Sequence, residues 1–212
     1  MKSVYIINGS GSYRALFMSL GFTVAQQLDE SVSLVCFTGG EDVTPALYGD
    51  NPHPFTHSWI GRDEYEKSLF HEIQKKGIPC VGICRGAQFL NCMSGGRMYQ
   101  HVQEHGRSHP IVDLDTGETV YVTSTHHQMM LPQGNYQLIA ASALGGKREW
   151  FDGEVARWDI SDRDNEVVFY PDTKCLCFQP HPEMYMEQHI FDGMRSYFNS
   201  LINKFLLENV HV

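Results

Sequence analysis

A cysteine between two glycines, in the stretch Gly82-Ile83-Cys84-Arg85-Gly86, has the spacing best suited to covalent chemistry in this chain. An apolar run ends here and a helical pattern begins, which is typical of a nucleophile elbow. Such a turn lifts one side chain above the sheet edge, and glycines flank it because no Cβ fits so tight a bend. Cys84 is therefore a candidate nucleophile, although these residues alone also allow a buried core cysteine beside a loop glycine.

The stretch 179–183, Gln-Pro-His-Pro-Glu, provides candidates for a general base and for the group that orients it. Two prolines keep the backbone around His181 out of regular structure, which suits an imidazole held in one orientation. Thiol catalysis needs a base that takes the thiol proton and returns it to the leaving group. Glu183 can bond the far ring nitrogen and fix its tautomer. The sequence thus predicts a triad of Cys84, His181 and Glu183.

Backbone N–H groups near Cys84 are candidates for stabilising an oxyanion. Gly39 and Gly40 follow the strand-like run 31–37, and α/β sheets bind ligands at the carboxyl ends of their strands. Arg85 follows the nucleophile directly. We predict that the backbone N–H groups of Gly40 and Arg85 form an oxyanion hole, in which each donor is typically worth about 3 kcal/mol.

The elements that must position these residues alternate between strand and helix. Apolar runs and helical spacing predict strands over 4–8, 31–37, 78–83 and 175–178 and helices over 13–20, 62–77, 87–93 and 190–206. The second half adds strands over 111–115, 118–123, 136–141, 155–159 and 166–170, which favour antiparallel pairing. The pattern predicts one α/β domain over residues 1–212, with a mostly parallel central sheet and antiparallel additions.

Composition narrows the classes of partner. The 212 residues carry a formal net charge of -9, and an acidic chain without a basic patch is a poor partner for nucleic acid or an anionic membrane. The chain starts in a strand-like segment without a charged leader or a long apolar run, so we expect a cytoplasmic protein. Its six cysteines are expected to be reduced, with Cys175 and Cys177 packed in the core.

Two further patterns are weak signals of a bound cofactor or metal. The loop Gly9-x-Gly11 lacks the third glycine of a dinucleotide fingerprint and the Lys-Ser/Thr of a phosphate loop. His101, His105 and His109 would align on one helix face, but their stretch contains a glycine and ends at a proline, which disfavour a helix. We therefore predict no cofactor and no metal site.

Five segments in order along the chain carry a family resemblance. They are 39–49, 62–66, 82–91, 126–128 and 179–183. Together they resemble the class I glutamine amidotransferase-like superfamily, and within it the γ-glutamyl-amide hydrolase branch that includes γ-glutamyl-γ-aminobutyrate hydrolase. The resemblance implies a flavodoxin-like three-layer sandwich and a hydrolase that forms a γ-glutamyl thioester on Cys84, releasing glutamate and an amine.

The resemblance also implies substrate contacts. The amino-acid head of a small γ-glutamyl substrate is expected to meet Gln88 and the turn formed by His126, His127 and Gln128. Arg62 is a further candidate contact. It lies with Asp63 and Glu66 beside the loop 45–60, where the three can meet the leaving group or cap a helix.

Two other functions stay open at this point. The same triad serves a glutaminase subunit that passes ammonia to a separate synthetase, so a synthetase partner is one alternative and a homodimer is another possible assembly. A catalytically dead binding module is the third hypothesis, and the presence of all three triad residues disfavours it. The leaving amine is not ranked by any residue in the sequence.

Overall fold

The computed structural model describes residues 2–103, 105–184 and 188–208, except for the side chains of 188–190. The strands are β1 (Ser3–Ile7), β2 (Thr23–Ala25), β3 (Leu34–Phe37), β4 (Cys80–Ile83), β5 (Arg97–Tyr99), β6 (His101–Val102), β7 (His109–Asp113), β8 (Thr119–Val122), β9 (Met129–Leu131), β10 (Gln137–Ser142), β11 (Gly146–Asp152), β12 (Val155–Ser161), β13 (Asp164–Tyr170) and β14 (Cys175–Phe178). The helices are α1 (Gly11–Ser19), α2 (Ile60–Lys75), α3 (Arg85–Met93) and α4 (Gln188–Ile202), with a 3-10 turn at Pro45–Tyr48 and a π-helical turn at Asn203–Leu207.

A nine-stranded sheet forms the centre of the fold, in the order β2-β1-β3-β4-β14-β13-β10-β7-β8. Its first five strands pair in parallel. The remaining pairs are antiparallel. This arrangement confirms the predicted α/β fold with antiparallel additions. It also places the carboxyl ends of β3, β4 and β14 side by side, where a ligand site is expected.

Helices cover both faces of this sheet because its strands alternate their apolar side chains. On β3, Leu34 and Cys36 pack in one apolar cluster with α1 and α4, whereas Val35 and Phe37 pack in the other with α2 and α3. The result is the predicted three-layer sandwich. Both Cys175 and Cys177 are buried in the second cluster, as expected. The side chain of Ile190, predicted to share the apolar face of α4, lies outside the described residues.

The smaller sheets were harder to predict. The strand expected over 155–159 forms, but β12 pairs with β11 at the edge of a separate three-stranded sheet, in the order β12-β11-β6, and most of its side chains are exposed. A further two-stranded sheet joins β5 and β9. Strands of two or three residues are too short to show a period, which is why β5, β6 and β9 carry no sequence signal.

The buried face of α2 differs from the face that apolar spacing indicated. The spacing of Tyr65, Leu69 and Ile73 predicts that these three share the core-facing side of the helix, but Tyr65 is 53% exposed. Asp63, Glu66, Phe70 and Ile73 are buried instead. Two carboxylates can be buried only if they are paired, so the rest of the structure must supply their counter-charges.

Among the described residues, no helix has the length and apolar character needed to cross a membrane.

Candidate active site

The turn from β4 into α3 has the backbone of a nucleophile elbow. Cys84 adopts φ 52° and ψ -112°, a conformation that is rare for residues other than glycine. Its N–H donates to the Phe178 carbonyl at 2.9 Å, which ties the turn to β14. A Cβ on Gly82 would collide with the Gly86 backbone, and one on Gly86 would collide with the Phe37 carbonyl. The flanking glycines are therefore required by close backbone approach.

His181 and Glu183 lie beside this elbow because β14 runs parallel to β4 with Phe178 opposite Ile83. The Nδ1 atom of His181 is 2.6 Å from Glu183 Oε1. The backbone N–H of His181 donates to Thr123 Oγ1 at 2.7 Å, which fixes the segment that follows the strand. The three candidate triad residues are thus brought together at one edge of the sheet.

The protonation of His181 follows from these neighbours. Burial acts to lower the pKa of the imidazole, but hydrogen bonds with Cys84 and Glu183 outweigh it and raise this pKa to about 10. The ring therefore keeps its proton at neutral pH. An imidazolium in that place can give a proton to a leaving group.

The loop at the end of β3 faces the same elbow. The Gly39 backbone packs so closely that an added Cβ would lie 3.0 Å from His181 Cε1 and 3.7 Å from Cys84 Cβ. Gly40 has φ +150°, and a Cβ there would collide with the Arg62 guanidinium. Both positions accept only glycine without a shift of these neighbours. The Gly40 and Arg85 backbones line the pocket in front of Cys84.

Arg62 holds this loop from behind. Its Nη1 donates to the Gly39 carbonyl and its Nη2 to the Thr38 carbonyl, each at 3.1 Å. Because the carbonyls point at Arg62, the peptide N–H that follows each of them points the other way. Arg62 was predicted as a substrate contact, and it also borders a neighbouring pocket of about 480 Å³ with Trp59 and Tyr65.

The side chain of Arg85 points away from the pocket into a buried ion cluster. It pairs with Asp63 and Glu66 of α2, both fully buried. Glu66 also accepts from Arg62 Nε at 2.8 Å and from Asn8 Nδ2 at 3.1 Å. Two guanidinium groups thus face two carboxylates, and this pairing accounts for the polar buried face of α2.

Tyr13 contacts the site, although its sequence context gives no indication of this. It lies on α1 at an apolar helical spacing, yet its hydroxyl accepts the Gly39 N–H at 2.9 Å. Burial first, and then the nearby Glu183 carboxylate, raise the pKa of this hydroxyl far above its usual range. A tyrosine at a core position gives no sequence signal that separates packing from such a hydrogen bond.

The pocket in front of Cys84 has a volume of about 190 Å³. All four predicted contacts for the amino-acid head line it, together with acidic and other polar residues. The lining consists of Gly40, Glu41, Asp42, His57, Cys84, Arg85, Gln88, Thr125, His126, His127 and Gln128. His127 is 3.2 Å from Asp42, and this hydrogen bond, opposed by burial, raises the pKa of the imidazole.

Several buried polar atoms in or beside this pocket have no partner within the described part of the chain. His126 Nδ1 donates to the Gln128 carbonyl at 2.9 Å, so its Nε2 is a free acceptor. Burial, followed by the nearby His105, holds the pKa of His126 well below its usual range, so the ring is neutral. Gln128 Oε1 and Gln179 Nε2 are also unpaired. Unpaired buried groups of this kind mark a place where a ligand can bind.

The sequence profile of the Peptidase C26 family matches residues 3–147, which is more than half of the chain. The chain belongs to the Peptidase C26 family. This membership confirms the resemblance to the class I glutamine amidotransferase-like superfamily. The family supports a cysteine-dependent amidohydrolase, and the elbow and its histidine lie where such chemistry would need them.

Curated relatives of the chain are similar to it in sequence, and a solved structure shares its fold. Rv2859c of Mycobacterium tuberculosis, provisionally named a glutamine amidotransferase, is 43% identical over 174 residues, covering 73% of this chain and 51% of that protein. The carbamoyl phosphate synthase small chain of Polynucleobacter asymbioticus is 28% identical, over 66% of this chain and 32% of its own length. The chain thus spans about half of the length of the first relative and about a third of the second. PurLQS from Thermotoga maritima shares the fold, with a TM-score of 0.63, 16% identity and coverage of 94% and 97%.

Proposed function

We propose that this chain hydrolyses a γ-glutamyl amide bond through a γ-glutamyl thioester on Cys84, releasing glutamate and an amine. The observation that carries the proposal is the placement of Cys84 on a pocket of about 190 Å³, with His181 hydrogen-bonded to Cys84 and paired with Glu183 beside it. A pocket of that size suits a small-molecule substrate rather than a polymer.

Acylation uses the groups around the elbow. The Cys84 thiolate attacks the amide carbon, and the developing oxyanion accepts hydrogen bonds from the N–H groups of Gly40 and Arg85. His181 then gives its proton to the departing nitrogen while the C–N bond breaks, leaving a thioester and a neutral amine. Glu183 keeps the imidazole oriented through Nδ1.

Deacylation reverses the proton flow. Neutral His181 takes a proton from water as the water oxygen attacks the thioester carbon. The C–S bond breaks, Cys84 leaves as a thiolate, and the γ-carboxylic acid of glutamate forms and gives its remaining proton to the solvent. His181 keeps the proton, so the imidazolium and thiolate pair is restored for the next cycle.

Unpaired polar atoms support recognition of an amino-acid head. His126 Nε2 and Gln128 Oε1 are acceptors without partners, as an α-ammonium group requires. Gln179 Nε2 is an unpaired donor, and Gln88 Nε2 has only long hydrogen bonds of 3.2 and 3.3 Å. These two amides can donate to an α-carboxylate. Glu41 and Asp42 add negative charge at the rim, which favours a cationic group there.

The decisive experiment is a screen of γ-glutamyl-amines with mass spectrometry of both products and protein. We expect release of glutamate and amine, and a γ-glutamyl adduct on the peptide that contains Cys84. Cys84→Ala should abolish both. Cys92→Ala is the matched control, since Cys92 is a buried thiol of the same helix outside the pocket and its loss should leave turnover unchanged. Normal turnover in Cys84→Ala would overturn the mechanism.

A glutaminase subunit is the second candidate function, and the similarity to a carbamoyl phosphate synthase small chain favours it. In that case the substrate is glutamine and the ammonia passes to a separate synthetase. Slow hydrolysis of glutamine by the chain alone and its stimulation by a co-purifying synthetase would support this function. Rapid unassisted hydrolysis of a γ-glutamyl-amine, with no such stimulation, would support the free-standing hydrolase.

A further inference from the structure

A second cluster of titratable side chains lies next to the pocket wall. His105 precedes β7 and His109 is its first residue, and the centroids of their rings are 5.3 Å apart. Glu166 projects from β13, which is separated from β7 by β10 in the sheet, and its carboxylate meets them. All three residues are at most 3% exposed. The ring of His105 stacks on that of His126 at 4.7 Å, which joins the cluster to the pocket wall.

Hydrogen bonds at the far side of each ring fix where its N–H lies. His105 Nε2 is 2.6 Å from Asp164 Oδ2, so this nitrogen carries the proton and donates to the carboxylate. His109 Nδ1 is 3.2 Å from the Arg107 carbonyl, which can only accept. The remaining ring nitrogens, His105 Nδ1 and His109 Nε2, are therefore lone-pair acceptors in the neutral rings.

Both lone pairs point at one carboxylate oxygen. Glu166 Oε1 lies 2.9 Å from His109 Nε2 and 3.8 Å from His105 Nδ1. His105 Nδ1 and the second oxygen, Glu166 Oε2, are buried and have no hydrogen-bond partner among the described residues. Three acceptors facing one another in a water-poor interior repel unless a proton or a metal ion lies between them.

We propose that His105 Nδ1, His109 Nε2 and Glu166 bind a divalent transition-metal ion, with zinc as the best match. Two imidazoles and a carboxylate form a common ligand set for zinc, in which ligand atoms lie about 3.4 Å apart in a tetrahedron. The observed separations of 2.9 and 3.8 Å bracket that value. All of the candidate ligand atoms lie within 4.8 Å of one another. Three protein ligands leave one position for an exogenous ligand.

The surroundings are those of a supported metal ligand. The Asp164 carboxylate that accepts from His105 fixes its tautomer, as carboxylates do behind zinc-bound histidines. Asp164 itself is paired with Arg148, so its charge is balanced and Glu166 is left as the unpaired anion. The site joins β7 to β13 and supports the ring of His126. Its role is to position the pocket wall, and it lies outside the candidate triad.

The spacing of three histidines in the sequence groups His101 with His105 and His109, but only the last two are candidate metal ligands. His101, the third member, lies on β6 with its ring stacked on His53 at 5.6 Å and 6.1 Å from His127. His101 therefore belongs to a separate, more exposed group of imidazoles. It provides a matched control, because that group could hold metal adventitiously.

The test uses the full chain, stripped with a chelator and then titrated with cobalt(II) or zinc(II). We expect about one equivalent of cobalt with the visible absorption bands of a low-symmetry site, displaced by zinc. Failure of the native chain to bind a stoichiometric ion would overturn the proposal. So would NMR evidence that His109 is simply protonated and stays so when zinc is added.

Variants then locate the ion. Glu166→Gln should weaken zinc binding at least 100-fold, and Asp164→Asn about 10- to 100-fold, the usual cost of losing a group behind a ligand. His101→Gln should bind like the native chain. Loss of the ion in His101→Gln with retention in Glu166→Gln would place it on the surface group and overturn the site. If Glu166→Gln does not fold, the cobalt spectrum of the native chain still decides.

Discussion

Two buried clusters of charge flank the elbow and its pocket, and they are completed in different ways. The first cluster consists of Arg62, Arg85, Asp63 and Glu66 behind the elbow, where two cations face two anions. The second consists of His105, His109 and Glu166 beside the pocket wall, where neutral acceptors surround one carboxylate. The first is neutral without help from outside. The second lacks one positive charge, so an ion or a proton must supply it.

This difference distinguishes a cluster that holds the backbone in place from a cluster that can bind a ligand. A cluster that satisfies its own charges gains nothing from a ligand, and its role is to hold backbone in place. The first cluster connects α2 with the loop after β3 and with the start of α3, two segments that contribute Gly40 and Arg85 to the lining of the pocket. A cluster with orphaned acceptors in a dry interior is a potential ligand site.

The largest effect is expected from breaking the balanced cluster. Arg85→Met keeps the backbone N–H of residue 85 but leaves two buried carboxylates with only Arg62 to balance them. Removing one partner of a buried ion pair typically destabilises a protein by about 3–5 kcal/mol. Urea unfolding should show this loss in the free energy of unfolding.

The control removes both buried carboxylates together with Arg85 and leaves Arg62, whose side chain is 13% exposed. The triple variant Arg85→Met, Asp63→Asn, Glu66→Gln has no uncompensated carboxylate, so we expect it to recover most of the stability lost in Arg85→Met. If Arg85→Met is as stable as the native chain, the charges of the cluster are not balanced in the way the geometry indicates.

A smaller effect on stability is expected when zinc binds to the second cluster. Zinc at about 100 times its dissociation constant should stabilise the stripped native chain by about 2.7 kcal/mol, if it binds only the folded state. Thermal unfolding with and without zinc measures this gain. Glu166→Gln should gain little, and His101→Gln should gain as much as the native chain. Equal stabilisation of the native chain and Glu166→Gln would contradict the comparison of the two clusters.

The two clusters also differ in how far they could be read from the sequence. The triad and its elbow lie in short local motifs, so Cys84, His181 and Glu183 can be picked out from neighbouring residues and turn chemistry. The carboxylates of α2 were visible as Asp63 and Glu66, but their partner is a side chain on another helix. Sequence spacing carries no distance between elements, so their burial could not be predicted.

The composition of the second cluster was even harder to predict from the sequence, for the same reason. His105 and His109 were noticed, but the helix needed to align them does not form, and they meet instead at a turn before β7. Glu166 lies 57 residues beyond His109 along the chain. It reaches them only because the central sheet places β13 near β7. Predicting that contact requires the strand order, whereas the sequence indicated only that these strands are antiparallel.

The smallest effect concerns His181, whose positive charge is balanced in the manner of the first cluster. Its pKa is raised to about 10 in the folded chain, against about 6.5 in an unfolded one. The stability from this group is therefore complete below about pH 6.5 and is lost as the pH rises toward 10. Between pH 7 and pH 8 the loss should be at most about 1.4 kcal/mol, the value of one pKa unit.

Chemical unfolding at both pH values in Cys84→Ser, with and without His181→Gln, isolates this contribution, because serine has no thiol proton whose release could offset the proton held by the imidazole. The chain that keeps His181 should lose stability with rising pH more steeply than the chain with His181→Gln. The reverse order would mean that the folded chain holds His181 neutral, and the charge balance at the elbow would then resemble that of the second cluster rather than the first.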